Sequence, residues 1–197
     1  GLITSFDLDN LEKYPLANKD KNGQLIVGAA IGVTGDYLER AGELLRAGAD
    51  VLVIDIAHGH HIRAINLLKN LKKEFKNIDV VAGNVATAQG VKDLIVAGAD
   101  AVKIGIGPGA ACSTRIVAGA GVPQITAILE CSAIARKYNI PIIADGGIKY
   151  SGDMVKALAL GASTVMMGNF FAAASESPGD IMELKREQVP HRFLSIF

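Results

Sequence analysis

Apolar residues in this chain follow two rhythms. Short continuous runs rich in Val and Ile recur at residues 25–30 (LIVGAA), 51–55 (VLVID), 80–84 (VVAGN), 101–105 (AVKIG), 140–145 (IPIIAD) and 164–168 (TVMMG). Unbroken runs of this length suit strands buried on both faces. Between most of them, apolar positions fall three or four apart, as in 37–45, 64–73 and 124–137, which suits amphipathic helices. Strand alternating with helix implies parallel strands joined by crossover helices, an α/β fold. A joint recurs as well. Ala47-Gly48-Ala49-Asp50, Ala97-Gly98-Ala99-Asp100 and Leu160-Gly161-Ala162-Ser163 each lead into a strand, with Gly where a helix should stop in a positive-φ residue. Repeated joints of this kind belong to a (β/α) barrel or a doubly wound sheet. The turn after the first run, Val27-Gly28-Ala29-Ala30-Ile31-Gly32, lacks the Gly-x-Gly-x-x-Gly spacing of the second, which favours the barrel.

Polar residues gather where the strands end: Asp55 and His58, Asn84, Asp145-Gly146-Gly147, and Gly168-Asn169. In a barrel these ends form one mouth. The late glycine turns suit a phosphate, which barrels bind after their last strands. The segment Gly105-Ile106-Gly107-Pro108-Gly109-Ala110-Ala111-Cys112-Ser113-Thr114-Arg115 carries the most chemistry. Its glycines and proline forbid regular structure and make a shaped loop. That loop presents Cys112 beside a hydroxyl and an arginine. A thiol with a lowered pKa is a strong nucleophile toward an electron-poor carbon. Gly and Pro also let backbone groups converge on an ion or a phosphate.

Composition narrows the field. The chain has 197 residues, half of them hydrophobic, enough for one domain with a sizeable core. Twenty Lys and Arg balance twenty Asp and Glu, so no charge excess points to nucleic acid or a membrane surface. No run is long enough to span a bilayer, and residues 1–5 do not read as a signal peptide. Two cysteines make no disulfide framework, which suits a reducing cytoplasm. Cys131, on a helical stretch, reads as packing. Met166 and Met167 read as core, the His58, His60 and His61 group as a solvated loop, and Lys69, Lys72, Lys73 and Lys76 as a solvated helix face.

The loop at 103–115, continued by Gly121-Val122-Pro123-Gln124-Ile125-Thr126-Ala127, closely resembles the active-site loop of the IMP dehydrogenase / GMP reductase family, in its bacterial IMP dehydrogenase form. Residues 144–153 (ADGGIKYSGD), 55–60 (DIAHGH) and 82–87 (AGNVAT) resemble it too, in family order, over about residues 1–180. The resemblance implies a TIM (β/α)8 barrel with six of its eight strands in this chain, a single partial catalytic domain over 1–197. Residues 1–20 would be the junction from a regulatory insert. Residues 181–197 diverge where the family has a flap whose Arg-Tyr pair activates water.

The implied reaction is oxidation of IMP to XMP with NAD. Cys112 would attack C2 of the purine, and Thr114 would assist proton movement. Asp55 would hold the nicotinamide ribose, with Asn84, Lys103, Gly105 and Gly107 in the base and cofactor region. Asp145 would accept from the nucleotide ribose, and Gly146, Gly147, Gly168 and Asn169 would hold the phosphate. Carbonyls of Gly107, Gly109 and Cys112 would coordinate a monovalent cation, usually K+. The expected assembly is a cytoplasmic homotetramer. Two departures stand out. Ala110 and Asn169 each replace a family Ser beside the phosphate, and a hydrogen bond to a charged group is worth about 1.5–3 kcal/mol. The alternatives are GMP reductase, which uses NADPH, and a truncated paralogue that binds nucleotide without turnover.

Overall fold

Each of the six apolar runs overlaps a strand: β1 (Gly28–Ile31), β2 (Val51–Asp55), β3 (Asp79–Val85), β4 (Ala101–Ile104), β5 (Ile142–Asp145) and β6 (Thr164–Met166). The computed structural model describes residues 4, 5, 9, 12–172, 174 and 177. The tail at 181–197 therefore lies outside the described residues, as does much of the 1–20 junction. The strands form one six-stranded sheet in the order β1-β2-β3-β4-β5-β6, every neighbour parallel. A doubly wound sheet reverses its strand order at a switch point. This order never reverses, so the sheet is a curled part of a (β/α)8 barrel.

Helices α1 (Tyr37–Arg46), α2 (Ile62–Glu74), α3 (Ala88–Val96), α5 (Gln124–Lys137) and α6 (Ser151–Ala159) connect the strands. Two short helices, α4 (Thr114–Val117) and α7 (Asn169–Ala172), follow β4 and β6. Helices α3 and α6 have only nine residues each, too few turns for the helical period to stand out in the sequence. Leu67, Leu68 and Leu71 of α2 are fully buried with Leu52, Ile54, Val80 and Val102 of the sheet. Each such side chain stabilises the fold by about 1.5–3 kcal/mol relative to exposure. Among the described residues, no helix is long and apolar enough to cross a membrane.

The recurring joint closes α1, α3 and α6 in the same way. Gly48, Gly98 and Gly161 have φ of 98°, 108° and 108°. In the first, Gly48 N–H donates to Leu45 and Ala49 N–H to Leu44, at 3.1 and 3.0 Å. This pair of bonds satisfies the last carbonyls of the helix. The Asp that follows then fastens the next strand to its neighbour. Asp50 Oδ2 accepts Val27 N–H at 2.8 Å, and Asp100 Oδ2 accepts Val80 N–H at 2.7 Å.

Two expectations change here. Lys72 does not sit on a solvated face: its Nζ donates to Asp100 Oδ2 at 2.8 Å and to the Ile78 carbonyl at 3.0 Å. The amphipathic period shows which face a residue occupies, but not that a long side chain folds back to a loop acid. Met166 is not core. It is 40 % exposed, because β6 is an edge strand paired on one side only among the described residues.

Candidate active site

Parallel, in-order strands deliver all their C-terminal ends to one side, and there the loop after β4 meets the turn after β5. The ladder persists one residue past β4, with Gly105 N–H donating to the Val85 carbonyl at 2.9 Å. The chain then leaves the sheet. A short turn, Cys112 N–H to the Gly109 carbonyl at 3.0 Å, presents the thiol. Arg115 closes the loop by donating from Nη2 to the Val122 carbonyl at 2.7 Å. The loop rests on Gly146 and Gly147, both at positive φ. A Cβ on Gly146 would lie 3.0 Å from the Gly109 nitrogen, and one on Gly147 would lie 3.1 Å from Pro108 Cβ.

Cys112 is half-buried, with its Sγ 3.3 Å from Thr114 Oγ1. As a thiol it donates to that oxygen; as a thiolate it accepts from the same hydroxyl. The Thr114 hydroxyl, followed by the Thr114 amide, holds the Cys112 thiol below its ordinary value. Burial opposes this, and the Arg115 charge and the Gly107 amide add to it. Cys131 is the contrast. Buried in α5, its thiol is pushed up to about 12, mainly by burial, so it packs and does not react.

Between Asp55 and Asp145 lies a charge cluster built on one buried lysine. The Lys103 side chain is 2 % exposed, and its Nζ lies 2.5 Å from Asp145 Oδ2 and 3.3 Å from Asp55 Oδ1. The register explains the reach. Asp55, Gly83 and Lys103 stand in one row across β2, β3 and β4. Gly83 has no side chain, and a Cβ there would lie 2.7 Å from Lys103 Cβ, so the lysine crosses over it to Asp55. Asn84 Nδ2 donates at 2.9 Å to both Asp145 Oδ2 and the Gly105 carbonyl. Gln124 Nε2 donates to the Ile104 and Asp145 carbonyls at 3.1 and 3.0 Å. Asn84 Oδ1 and Gln124 Oε1 are buried acceptors without a donor among the described residues. Water or a ligand donor is their natural complement.

Besides a cavity of about 550 Å³ along Ser113, Arg115, Ile116 and Val117, two cavities that hold the residues read from the sequence meet at Cys112. One, of about 450 Å³, is walled by Ala110, Cys112, Asp145, the Gly146-Gly147 turn, Gly168 and Asn169. The other, of about 320 Å³, is walled by Asp55, Asn84, Gly105, Gly107, Cys112 and Thr114. The structure thus places most of the residues read from the sequence around these two cavities. Gly109 lines the first cavity as well. Lys103 lines neither and lies beneath both.

Sequence reasoning passed over several participants. Met167, read as core, is half-buried just past β6 and lines the cavity of about 450 Å³, as does Lys149. Lys149 is visible in the sequence only as a cation next to a glycine turn. Gln124 opens α5 directly after Pro123, where its type signals a helix start and not a site. His58 and His61 are exposed loop residues, as read from the sequence, whereas His60 is half-buried and paired. His60 Nε2 lies 2.8 Å from Asp93 Oδ2, and His61 Nδ1 accepts Arg63 N–H at 3.1 Å at the start of α2.

Fold and site together define a partial (β/α)8-barrel domain with a half-buried thiol of lowered pKa at the mouth of its strands. Residues 5–191 match the family model described as the IMP dehydrogenase / GMP reductase domain. The chain belongs to that family. The inosine-5'-monophosphate dehydrogenase of Nitrosopumilus maritimus is 56 % identical over 182 residues, 92 % of this chain and 38 % of that protein. That of Aquifex aeolicus is 58 % identical over 180 residues, 91 % of this chain and 37 % of its own length. A crystal structure of a GMP reductase variant from Trypanosoma brucei superposes with a TM-score of 0.87 at 50 % identity, covering 91 % of this chain and 41 % of that one. The same protein in complex with guanosine 5'-monophosphate gives 0.85 at 50 % identity, covering 91 % and 38 %. The chain spans well under half the length of these relatives.

Proposed function

We propose that this chain carries the nucleophile and both half-sites of an IMP dehydrogenase, oxidising IMP to XMP. One observation carries the reading: Cys112 stands on the shared wall of two cavities, so a single thiol faces a bound nucleotide on one side and a redox partner on the other. In the larger of these two Asp145 accepts from the ribose, and the amides of Gly146, Gly147, Gly168 and Asn169 hold the phosphate. Ala110 supplies no hydroxyl there, so the phosphate relies on these amides and on the nearby Lys149. The Cys112 thiolate adds to C2 of the purine, forming the C–S bond. NAD+, when bound against Asp55 and Asn84, supplies the acceptor for the hydride that leaves C2. Water then adds to the resulting thioimidate, the C–S bond breaks, and XMP departs as the sulfur is released. Thr114, already bonded to the sulfur, shuttles a proton at Sγ.

The carbonyls of Gly107, Gly109 and Cys112 fit a monovalent cation such as K+. They are neutral donors carried by one turn, and the Cys112–Gly109 bond already holds part of that turn. A cation held there would stiffen the loop that aims the thiol. Assembly as a cytoplasmic homotetramer belongs to the same reading.

Intact mass spectrometry after incubation with IMP, NAD+ and K+ tests the proposal. The expected result is a covalent nucleotide adduct that Cys112→Ala lacks. No adduct on a chain shown by circular dichroism to be folded refutes it. The likeness to GMP reductases supports one second reading. There the same thiol would displace ammonia from C2 of GMP, and NADPH would deliver a hydride to C2, releasing IMP and the sulfur. Adduct formation with GMP and not IMP selects that reading.

A further inference from the structure

We infer that Lys103 is a positioning residue that joins the two half-sites into one electrostatic unit, so that a change at Asp55 is felt by a nucleotide at Asp145. The inference rests on the proposed placement of nucleotide at Asp145 and redox partner at Asp55. Lys103 is the cation shared by both carboxylates, and its side chain is 2 % exposed against 50 % for Asp55 and 22 % for Asp145. A buried ammonium is tolerated only while its partners stay ionised and close. Two carboxylates divide one positive charge, so the cluster carries one net negative charge next to a cavity proposed to hold a phosphate.

The geometry assigns each oxygen a task. Lys103 engages Asp145 at Oδ2, where Asn84 also donates, and Asp55 at Oδ1. Among the described residues, Asp145 Oδ1 and Asp55 Oδ2 accept no hydrogen bond, which leaves one oxygen of each carboxylate for a ligand hydroxyl. Among the described residues nothing else hydrogen-bonds both carboxylates: Asn84 reaches Asp145 Oδ2, and Gln124 only the Asp145 main-chain carbonyl. The bare Gly83 between them is what permits the bridge.

The consequence is a cross-effect between cavities. Asp55→Asn removes the rival for Lys103. The ammonium then serves Asp145 alone, fixing its orientation, and one negative charge leaves the surroundings of the phosphate. Both changes favour the nucleotide. The test is the Kd of IMP, by isothermal titration without NAD+, for the unaltered chain, Asp55→Asn, Lys103→Met and the double variant. The expected result is that Asp55→Asn, altering the cavity IMP does not occupy, tightens IMP at least threefold, and that this gain vanishes when Lys103 is already Met. IMP affinity within twofold of the unaltered chain in Asp55→Asn, or weaker, overturns the inference while IMP binding itself upholds the functional reading. An equal gain with and without Lys103 also overturns it, because the effect would then bypass the lysine. If Lys103→Met fails to fold, Lys103→Gln, which keeps a polar head beside the carboxylates, takes its place in the same comparison, and Asp55 is half exposed, so its exchange leaves the core intact. If IMP fails to bind the folded, unaltered chain, the functional reading falls and takes the inference with it.

Discussion

Replacing Gly146 by alanine tests whether the nucleophile loop is seated on the β5 turn. Gly48 provides the reference. Its φ is 98°, and a Cβ there would meet nothing within 4 Å. Gly48→Ala therefore reports backbone strain alone. A Cβ in the left-handed region costs roughly 1–2 kcal/mol, and the smaller unfolded-state entropy of Ala offsets about 0.4–1 kcal/mol of it, leaving a net loss of about 1 kcal/mol. Gly146 has a comparable φ of 88°, but its Cβ would press on the Gly109 nitrogen at 3.0 Å and Pro108 Cγ at 3.1 Å. A backbone nitrogen does not swing aside as the tip of a long side chain does, so the loop must shift by a few tenths of an ångström. Misplacing a reacting group by 1 Å can cost about 100-fold in rate, so a smaller shift is expected to cost about tenfold. Denaturant unfolding should show Gly146→Ala losing about 2 kcal/mol, the strain and the contact together. The initial rate of IMP-dependent adduct formation on Cys112 should fall about tenfold in Gly146→Ala and stay unchanged in Gly48→Ala. Equal stabilities and equal adduct rates for the two variants would refute the seating of the loop.

Two further outcomes follow from the same contacts. Thr114→Val keeps the side-chain shape and removes the hydroxyl that lowers the Cys112 pKa. The thiolate forms only above the thiol's pKa, so the alkylation-rate profile of Cys112 should move to higher pH; a profile that stays in place or moves lower would contradict the assignment. Asp100→Ala should destabilise more than Lys72→Met. Asp100 holds both Lys72 and the Val80 amide, and losing a hydrogen bond to a charged group costs about 1.5–3 kcal/mol, whereas the half-exposed Lys72 pair is worth about 1 kcal/mol or less. Denaturant melts that rank the two in the opposite order would sink that comparison.

What the sequence made legible is what acts locally or by period. Strands buried on both faces leave unbroken Val and Ile runs, and all six runs overlap strands. Helix ends that need a positive φ leave a glycine, and Gly48, Gly98 and Gly161 are found there. A loop that is neither strand nor helix leaves Gly and Pro before Cys112, although the segment read as irregular ends in α4 from Thr114, and the family motif suggested a role for its residues one by one. The periodic signal failed where a side chain's surroundings come from far along the chain. Lys103 sits in an apolar run and has the look of an ordinary strand residue, yet its partners are 48 and 42 positions away. His60 finds Asp93 at a separation of 33. Met166 has a core residue's type but an edge strand's exposure. The fold nevertheless supplies a rule that recovers part of this. In a parallel sheet whose strands run in chain order, residues at equal height on successive strands become lateral neighbours. Asp55, Gly83 and Lys103 are such a row, and a glycine in the middle of a row lets a long cation on one side reach an acid on the other. Once strand order is known, the Lys103–Asp55 bridge follows from register and from the one position in the row that has no side chain, whereas Asp145 lies two positions beyond Ile143, the register partner of Lys103.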